Sequence, residues 1–205
     1  MTIKLLHFIL ITFSCVQLFA QEKNTKYDRK EEIIYDGKLY RKYNSYLTMG
    51  AGYMSSSLRD DIQKAIGFDF NFHIRKQYFQ AGILMSGPQY LSNNNIQAHI
   101  GYGLRKEKNK SNLAIYGGIT YFTGVRGIPD SAFGSIPFYY QGVGAYFSAQ
   151  AIKKITYDIG AGIEFFGEYS QQQRILGFKF ILFFSGSYRG LKKNFNTNVR
   201  SENQK

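Results

Sequence analysis

From Tyr46 onward, apolar and small or polar residues alternate with a period of two. In the first segment Leu47, Met49, Ala51 and Tyr53 alternate with Thr48, Gly50 and Gly52. In the second Ile66, Phe68, Phe70, Phe72 and Ile74 alternate with Gly67, Asp69, Asn71 and His73. The pattern recurs from Tyr78 to Met85, Ile96 to Arg105, Leu113 to Tyr121, Tyr139 to Phe147, Ile155 to Phe165 and Leu176 to Ser185. Side chains of a strand point alternately to opposite faces, so each stretch reads as a strand with one greasy and one non-greasy side. There are eight, each near the ~9–11 residues that a tilted strand needs to cross a bilayer. Eight is also an even number and the smallest usual for a closed membrane barrel.

Two barrels could carry this pattern, and the second face chooses between them. A soluble barrel points its apolar face inward and covers its outside with charge, about a quarter to a third of surface positions. Here the non-greasy face is mostly Gly, Ser, Thr and Gln, with few charges: chiefly Asp69, Arg105, Asp158, Glu164 and Lys179. That suits an enclosed, narrow interior. The expected fold is therefore all-β, an eight-stranded antiparallel up-and-down transmembrane barrel with its apolar face toward lipid.

The connections alternate too. With both termini periplasmic, the even connections are Arg75-Lys76-Gln77, Lys106 to Lys110, and Lys153-Lys154, short and basic. The odd ones are Ser55 to Asp61, Gly87 to Asn94, Gly124 to Ile136 and Gly167 to Gln173. These are longer and rich in Gly, Ser, Asn and Gln, as outer-membrane barrels have long external loops and short periplasmic turns.

Residues 1–20 read as a signal peptide: Lys4, an apolar run from Leu5 to Phe19, then Ala20 before Gln21. The run is short for a membrane helix of ~20 residues. Cys15, the one cysteine, follows Thr12, Phe13 and Ser14, a poor match to a lipidation site, and cleavage after Ala20 removes it. Residues 21–44 form a charged periplasmic segment in which Asp36-Gly37 separates Ile33-Ile34-Tyr35 from Lys38-Leu39-Tyr40, a signal for a two-residue hairpin. The barrel is assigned to 45–188, and 189–205 to a polar basic tail.

Composition changes the picture only through charge. The chain carries 26 Lys+Arg against 14 Asp+Glu, a formal +12, with 17 Tyr, 18 Phe, 21 Gly and no Trp. The basic residues gather at the periplasmic turns and tail, where phospholipid headgroups lie, so outer-membrane lipids are the expected partner. Nucleic acid is not expected, since neither a recognition helix nor a groove-binding motif is present.

With strands and turns placed, the chain resembles the small eight-stranded outer-membrane barrels, the group of the OmpA transmembrane domain and OmpX. The resemblance covers about residues 45–188 and rests on architecture and on Gly-aromatic strands such as Met49-Gly50-Ala51-Gly52-Tyr53 and Ile159-Gly160-Ala161-Gly162-Ile163. It implies functions that range over adhesion, envelope tethering, stress resistance and lipid modification.

Candidate chemistry is sparse. Asp69, Arg105, Asp158, Glu164 and Lys179 share the lumen face by parity, and an interior of eight strands is filled by side chains, so a salt-bridged plug is expected. Asp158 and Glu164 lie ~20 Å apart along one strand and cannot act as a carboxylate pair. His73 and His99 both point inward, but a metal site needs a third ligand beside them. Ser86 and Ser170 fall near the outer rim, without a histidine alongside. No catalytic residue and no cofactor or metal site is assigned, and no small-molecule substrate is expected. The expected binding surface is the loop Gly124 to Ile136, with Arg126, Pro129, Asp130 and Phe133. The expected role is a non-enzymatic structural, adhesion or binding one through the outer loops. The alternatives are an accessory subunit of a secretion or transport complex, docking a periplasmic partner through residues 21–44, and a lipid A-modifying barrel enzyme.

Overall fold

A strand with one apolar and one polar side must give each side its own medium, and closing the sheet on itself does this while leaving no unpaired edge. The structure, a computed structural model, describes residues 32–74, 77–90, 94–130 and 134–191, and all their regular elements are strands. They are β1 (Glu32–Tyr35), β2 (Lys38–Arg41), β3 (Tyr46–Ser56), β4 (Arg59–Ile74), β5 (Gln77–Gly87) and β6 (Asn95–Glu107). There follow β7 (Ser111–Asp130), β8 (Gly134–Lys154), β9 (Ile159–Tyr169), β10 (Arg174–Ser185) and β11 (Tyr188–Leu191). Strands β3 to β10 pair antiparallel, each with its sequence neighbour, and β10 closes on β3 with Phe180 opposite Ala51. The expected signal peptide with Cys15, residues 21–31 of the expected charged segment, the Arg75-Lys76 pair, Phe133 and residues 192–205 lie outside the described residues.

The orientation of the faces is the expected one. Leu47, Phe68, Phe70, Ile100, Ile119, Val143, Phe165, Leu176 and Phe180 are exposed on the outer wall. Thr48, Gln80, Gln97, Thr120, Ser148 and Gln150, on the opposite face of the same strands, are buried. A band of exposed aliphatic and aromatic side chains around a polar, filled interior inverts a soluble protein and fits a lipid surround. Aromatic rings gather toward both edges of the band. Phe70, Phe72, Phe79 and Tyr102 form a chain with centroids 5.5–5.6 Å apart near the end where the chain enters the barrel. Tyr53 meets Tyr90 and Phe178 at the far end.

Several connections differ from expectation. The β3–β4 link is not a loop from Ser55 to Asp61 but a tight turn, Ser57-Leu58, because Ser56 pairs with Arg59. The stretch Gly124 to Ile136 is mostly strand: β7 and β8 keep pairing as far as Asp130 opposite Gly134. Alternation in that stretch is masked by Gly127, Pro129 and Gly134, which read as loop although two strands paired only to each other can hold them. Conversely, Ile155 to Asp158 is not strand but a bend between β8 and β9. Parity therefore fails there, and Tyr157, expected on the lipid face, is fully buried.

Outside the barrel wall, β1 and β2 form the hairpin expected at Asp36-Gly37. Both turn residues have positive φ, 51° and 69°, as a type I′ turn demands. The second arm also pairs with β11, which makes a three-stranded sheet of order β1-β2-β11. Arg189 to Leu191, assigned from sequence to the tail, belong to this sheet.

Candidate functional site

Three places hold side chains arranged for more than covering a surface. The first is the middle of the lumen. Inward parity brings Asp69 from β4, Glu164 from β9 and Lys179 from β10 to one level. The Lys179 ammonium donates to Asp69 Oδ2 at 2.9 Å and lies 3.4 Å from Glu164 Oε1. His99 Nε2 lies 2.9 Å from Asp69 Oδ1, and its ring stacks on Tyr146 with centroids 4.0 Å apart. Glu164 also accepts from Gln150 Nε2 at 3.1 Å and from the Tyr146 hydroxyl at 3.3 Å. Glycine makes room for this cluster: a Cβ on Gly82 would fall on the Asp69 carboxylate and the His99 ring, and one on Gly67 would meet Lys179.

Arg105 and Asp158, expected in the same plug, are not in this cluster. Arg105 belongs to a second network at the entry end of the barrel. Its guanidinium donates to Asn112 Oδ1 at 2.9 Å, to the Asn44 carbonyl at 2.7 Å and to Glu107 Oε2 at 2.8 Å, and it lies 4.4 Å over the Tyr46 ring. Glu107 also pairs with Lys154 and accepts from the Tyr43 amide at 2.7 Å. Asp158 is a correction of another kind. Since Ile155 to Asp158 bends out of the wall, its carboxylate accepts from the Ser185 hydroxyl at 3.0 Å and the Ser187 amide at 2.8 Å. It staples the β8–β9 connection to the exit of β10.

The two lumen networks are joined. The Tyr46 hydroxyl donates to Gln150 Oε1 at 2.8 Å, so contacts run from Asp69 through Lys179, Glu164, Gln150 and Tyr46 to Arg105 and Glu107. Apolar residues pack on both sides of these networks: Met54, Leu84 and Phe166 beyond the central cluster, and Ile152, Ile181 and Phe183 toward the entry end.

The second place is the cap over the entry end. Tyr40 of β2 stacks on Tyr157, centroids 4.7 Å apart, and Lys154 Nζ lies 3.6 Å from the centroid of the Tyr157 ring. Burial raises the Tyr157 phenol above the ordinary tyrosine range, so it stays neutral beside that ammonium. The Arg41 amide donates to the Ser187 carbonyl at 2.9 Å. With Tyr43 and Asn44 held by Glu107 and Arg105, the segment before the barrel is tied into its mouth.

The third place is the β7–β8 hairpin at the far end. Pairing of β6 to β7 stops at Asn95 opposite Gly124, and pairing of β8 to β9 at Ala145 opposite Tyr169. Beyond those points, among the described residues, the two strands continue with each other as their only paired strand. Ile136, Phe138 and Tyr139 are exposed there, Tyr139 at 75%. Arg126 is exposed and lines a cleft of about 650 Å3 with Leu58, Phe138, Tyr139, Tyr140, Gln141 and Gln172. Arg59 Nη2 donates to the Val125 carbonyl at 3.1 Å and braces the root. Pro129 and Asp130 sit at the end of β7, and Phe133 is outside the described residues.

Sequence reasoning missed Glu107 and Lys154, which it assigned to basic turns. A signal existed: Glu107 shares the inward parity of Arg105, and Lys154 that of Tyr146 and Gln150. His73 and His99 do not converge, and among the described residues no group of three His, Cys, Asp or Glu side chains could hold a metal ion. Ser86 Oγ is buried without a hydrogen-bond partner, and the Ser170 hydroxyl is occupied by its own turn, donating to the Gln173 carbonyl at 2.9 Å. Among the described residues neither serine is hydrogen-bonded to a base.

Closure of eight antiparallel strands around a salt-bridged, side-chain-filled interior, with an apolar outer wall, defines an eight-stranded up-and-down barrel of the transmembrane type. Among known structures it is similar to the N-terminal β-barrel domain of Pseudomonas aeruginosa OprF, at 10% identity over 68% of this chain and 96% of that one, with a TM-score of 0.51. Neisserial surface protein A is also similar, at 11% identity over 69% of this chain and 96% of that one, with a TM-score of 0.49. So is Ail, the attachment invasion locus protein of Yersinia pestis, at 4% identity over 71% and 97%, with a TM-score of 0.47. At 10% identity the likeness to the OprF barrel bears on the fold alone. No protein-family model matches the chain, and no curated protein sequence matches it.

Proposed function

We propose that this chain is a non-enzymatic outer-membrane protein, with both termini in the periplasm, that binds a partner outside the cell through the β7–β8 hairpin. Its role is then structural or adhesive. The observation that carries the reading is the hairpin itself: paired strands extended past the wall, bearing exposed Ile136, Phe138 and Tyr139 beside Arg126 and a cleft. Exposed aromatics with an arginine are what binding hot spots are made of, and a barrel holds such an element rigidly. The apolar belt supports the membrane location, and the basic turns at the entry end support periplasmic termini. Docking of an accessory partner through residues 21–44 is less favoured, because Tyr40, Arg41, Tyr43 and Asn44 spend their contacts on the barrel and β11.

The test replaces residues 126–138 by a two-residue Asn-Gly turn and compares cells displaying each form. Heat-resistant mobility in detergent should be retained, while attachment to host cells or matrix is lost. Undiminished attachment, with the shortened barrel at the surface, would overturn the hairpin's role.

A further inference from the structure

The turn Lys106-Glu107-Lys108-Asn109-Lys110 looks, in sequence, like a partly neutralised basic loop, and the fold undoes the neutralisation. Glu107 turns into the lumen and is buried between Arg105, Lys154 and the Tyr43 amide. Lys106, Lys108 and Lys110 remain exposed. The register adds a fourth charge: Lys106 pairs with Leu113, and Ser111 with Lys153, so Lys106 and the exposed Lys153 flank β7 on the outer wall. The acids of β6, β7 and β8 are Glu107, inside, and Asp130, at the opposite end of β7.

Directly beyond these ammonium groups the same wall turns apolar, with Leu104, Leu113 and Ile115 exposed at 50–64%. A cleft of about 550 Å3 adjoins the turn, its walls carrying Lys42, Lys108, Asn109, Lys110 and Ser111 together with Ile33 and Glu107, whose carboxylate is already paired with Arg105 and Lys154. Concentrated positive charge and amide and hydroxyl donors, next to a greasy wall, match a ligand with a phosphate head and acyl tails. We propose that the entry-end wall of β6, β7 and β8 is a site for an anionic phospholipid headgroup, selecting phosphatidylglycerol-type lipids over zwitterionic ones. The proposal rests on the outer-membrane reading above and deepens it by naming the inner-leaflet partner. A zwitterionic head brings its own ammonium among the lysines; an anionic head does not. A basic residue beside an anionic surface gains about fivefold in affinity, so three acting together gain up to about a hundredfold.

The test uses the full chain refolded in detergent, with lipid retention read by native mass spectrometry. Phosphatidylglycerol and phosphatidylethanolamine are titrated against wild type, a K106Q/K108Q/K110Q variant, a K106R/K108R/K110R variant, and a K64Q/R174Q control that removes charge at the far end. The turn is closed by backbone bonds, Lys108 N–H to Ser111 O at 2.8 Å and Lys154 N–H to Lys110 O at 2.9 Å, which these changes leave in place. Wild type, the Arg variant and the control should prefer phosphatidylglycerol, and the Gln variant should lose at least tenfold. Equal retention of the two lipids by wild type overturns the proposal, as does a loss no larger in the Gln variant than in the control. Displacement of the lipid by millimolar inorganic phosphate, or preferential retention of anionic cell-wall fragments, overturns the lipid as occupant. Insertion of wild type into vesicles is scored separately: failure there sinks the membrane reading, whereas insertion without headgroup preference sinks this inference alone.

Discussion

Lys179 and Asp69 meet 2.9 Å apart in the middle of the barrel, from β10 and β4, which are not neighbours but lie either side of β3. Both are buried, and Glu164 and His99 complete the cluster. Removing one member of such a group leaves its partner's charge stranded, at a cost of about 3–5 kcal/mol. K179M should therefore lower unfolding stability by that order, read as a shift of the urea midpoint in vesicles. K179M/D69N, which removes both charges, should recover part of the loss. Equal midpoints for the single and double variants would show that the pair is not coupled.

The room for that cluster comes from Gly82. A methyl there would fall on the Asp69 carboxylate and the His99 ring, both held by other contacts. Overpacking of this kind costs about 1–3 kcal/mol. G82A should destabilise by that much. G117A, whose Cβ would have its nearest neighbour 4.0 Å away on the outer wall, should be close to silent in the same denaturation assay.

Glu107 holds Arg105, Lys154 and the Tyr43 amide together. E107Q keeps the shape and removes the charge, so two buried cations lose their counter-ion. Faster hydrogen exchange is expected first at residues 38–44, whose tie to the mouth runs through this carboxylate. Mid-barrel strands should exchange as before. Uniform acceleration throughout the barrel would instead mean that Glu107 serves the whole wall.

Tyr139 is 75% exposed and lines the far-end cleft. A surface truncation away from caps and cores changes stability by less than about 0.5 kcal/mol. Y139A should leave the unfolding midpoint in place while weakening partner binding by about tenfold or more, the scale of an aromatic hot spot. A binding isotherm unchanged by Y139A and by F138A alike would remove the aromatic pair from the interface.

The alternation of apolar and small residues determined the eight strands, the outward face of Leu47, Phe68, Ile119 and Phe180, and the inward face of Asp69, Glu164 and Lys179, because strand geometry leaves a side chain only two directions. Asp36-Gly37 likewise determined its own hairpin through the positive φ that its turn requires. Tertiary structure decided what parity cannot express. Whether Asp69 reaches Lys179 depends on the register and closure of non-adjacent strands. Whether Glu107 neutralises its turn or leaves it bare depends on Arg105 and Lys154 arriving beside it. Whether Gly124 to Ile136 is loop or strand depended on a partner strand present on one side only. Side-chain direction is local information; which inward-pointing groups meet is settled only once the sheet has closed.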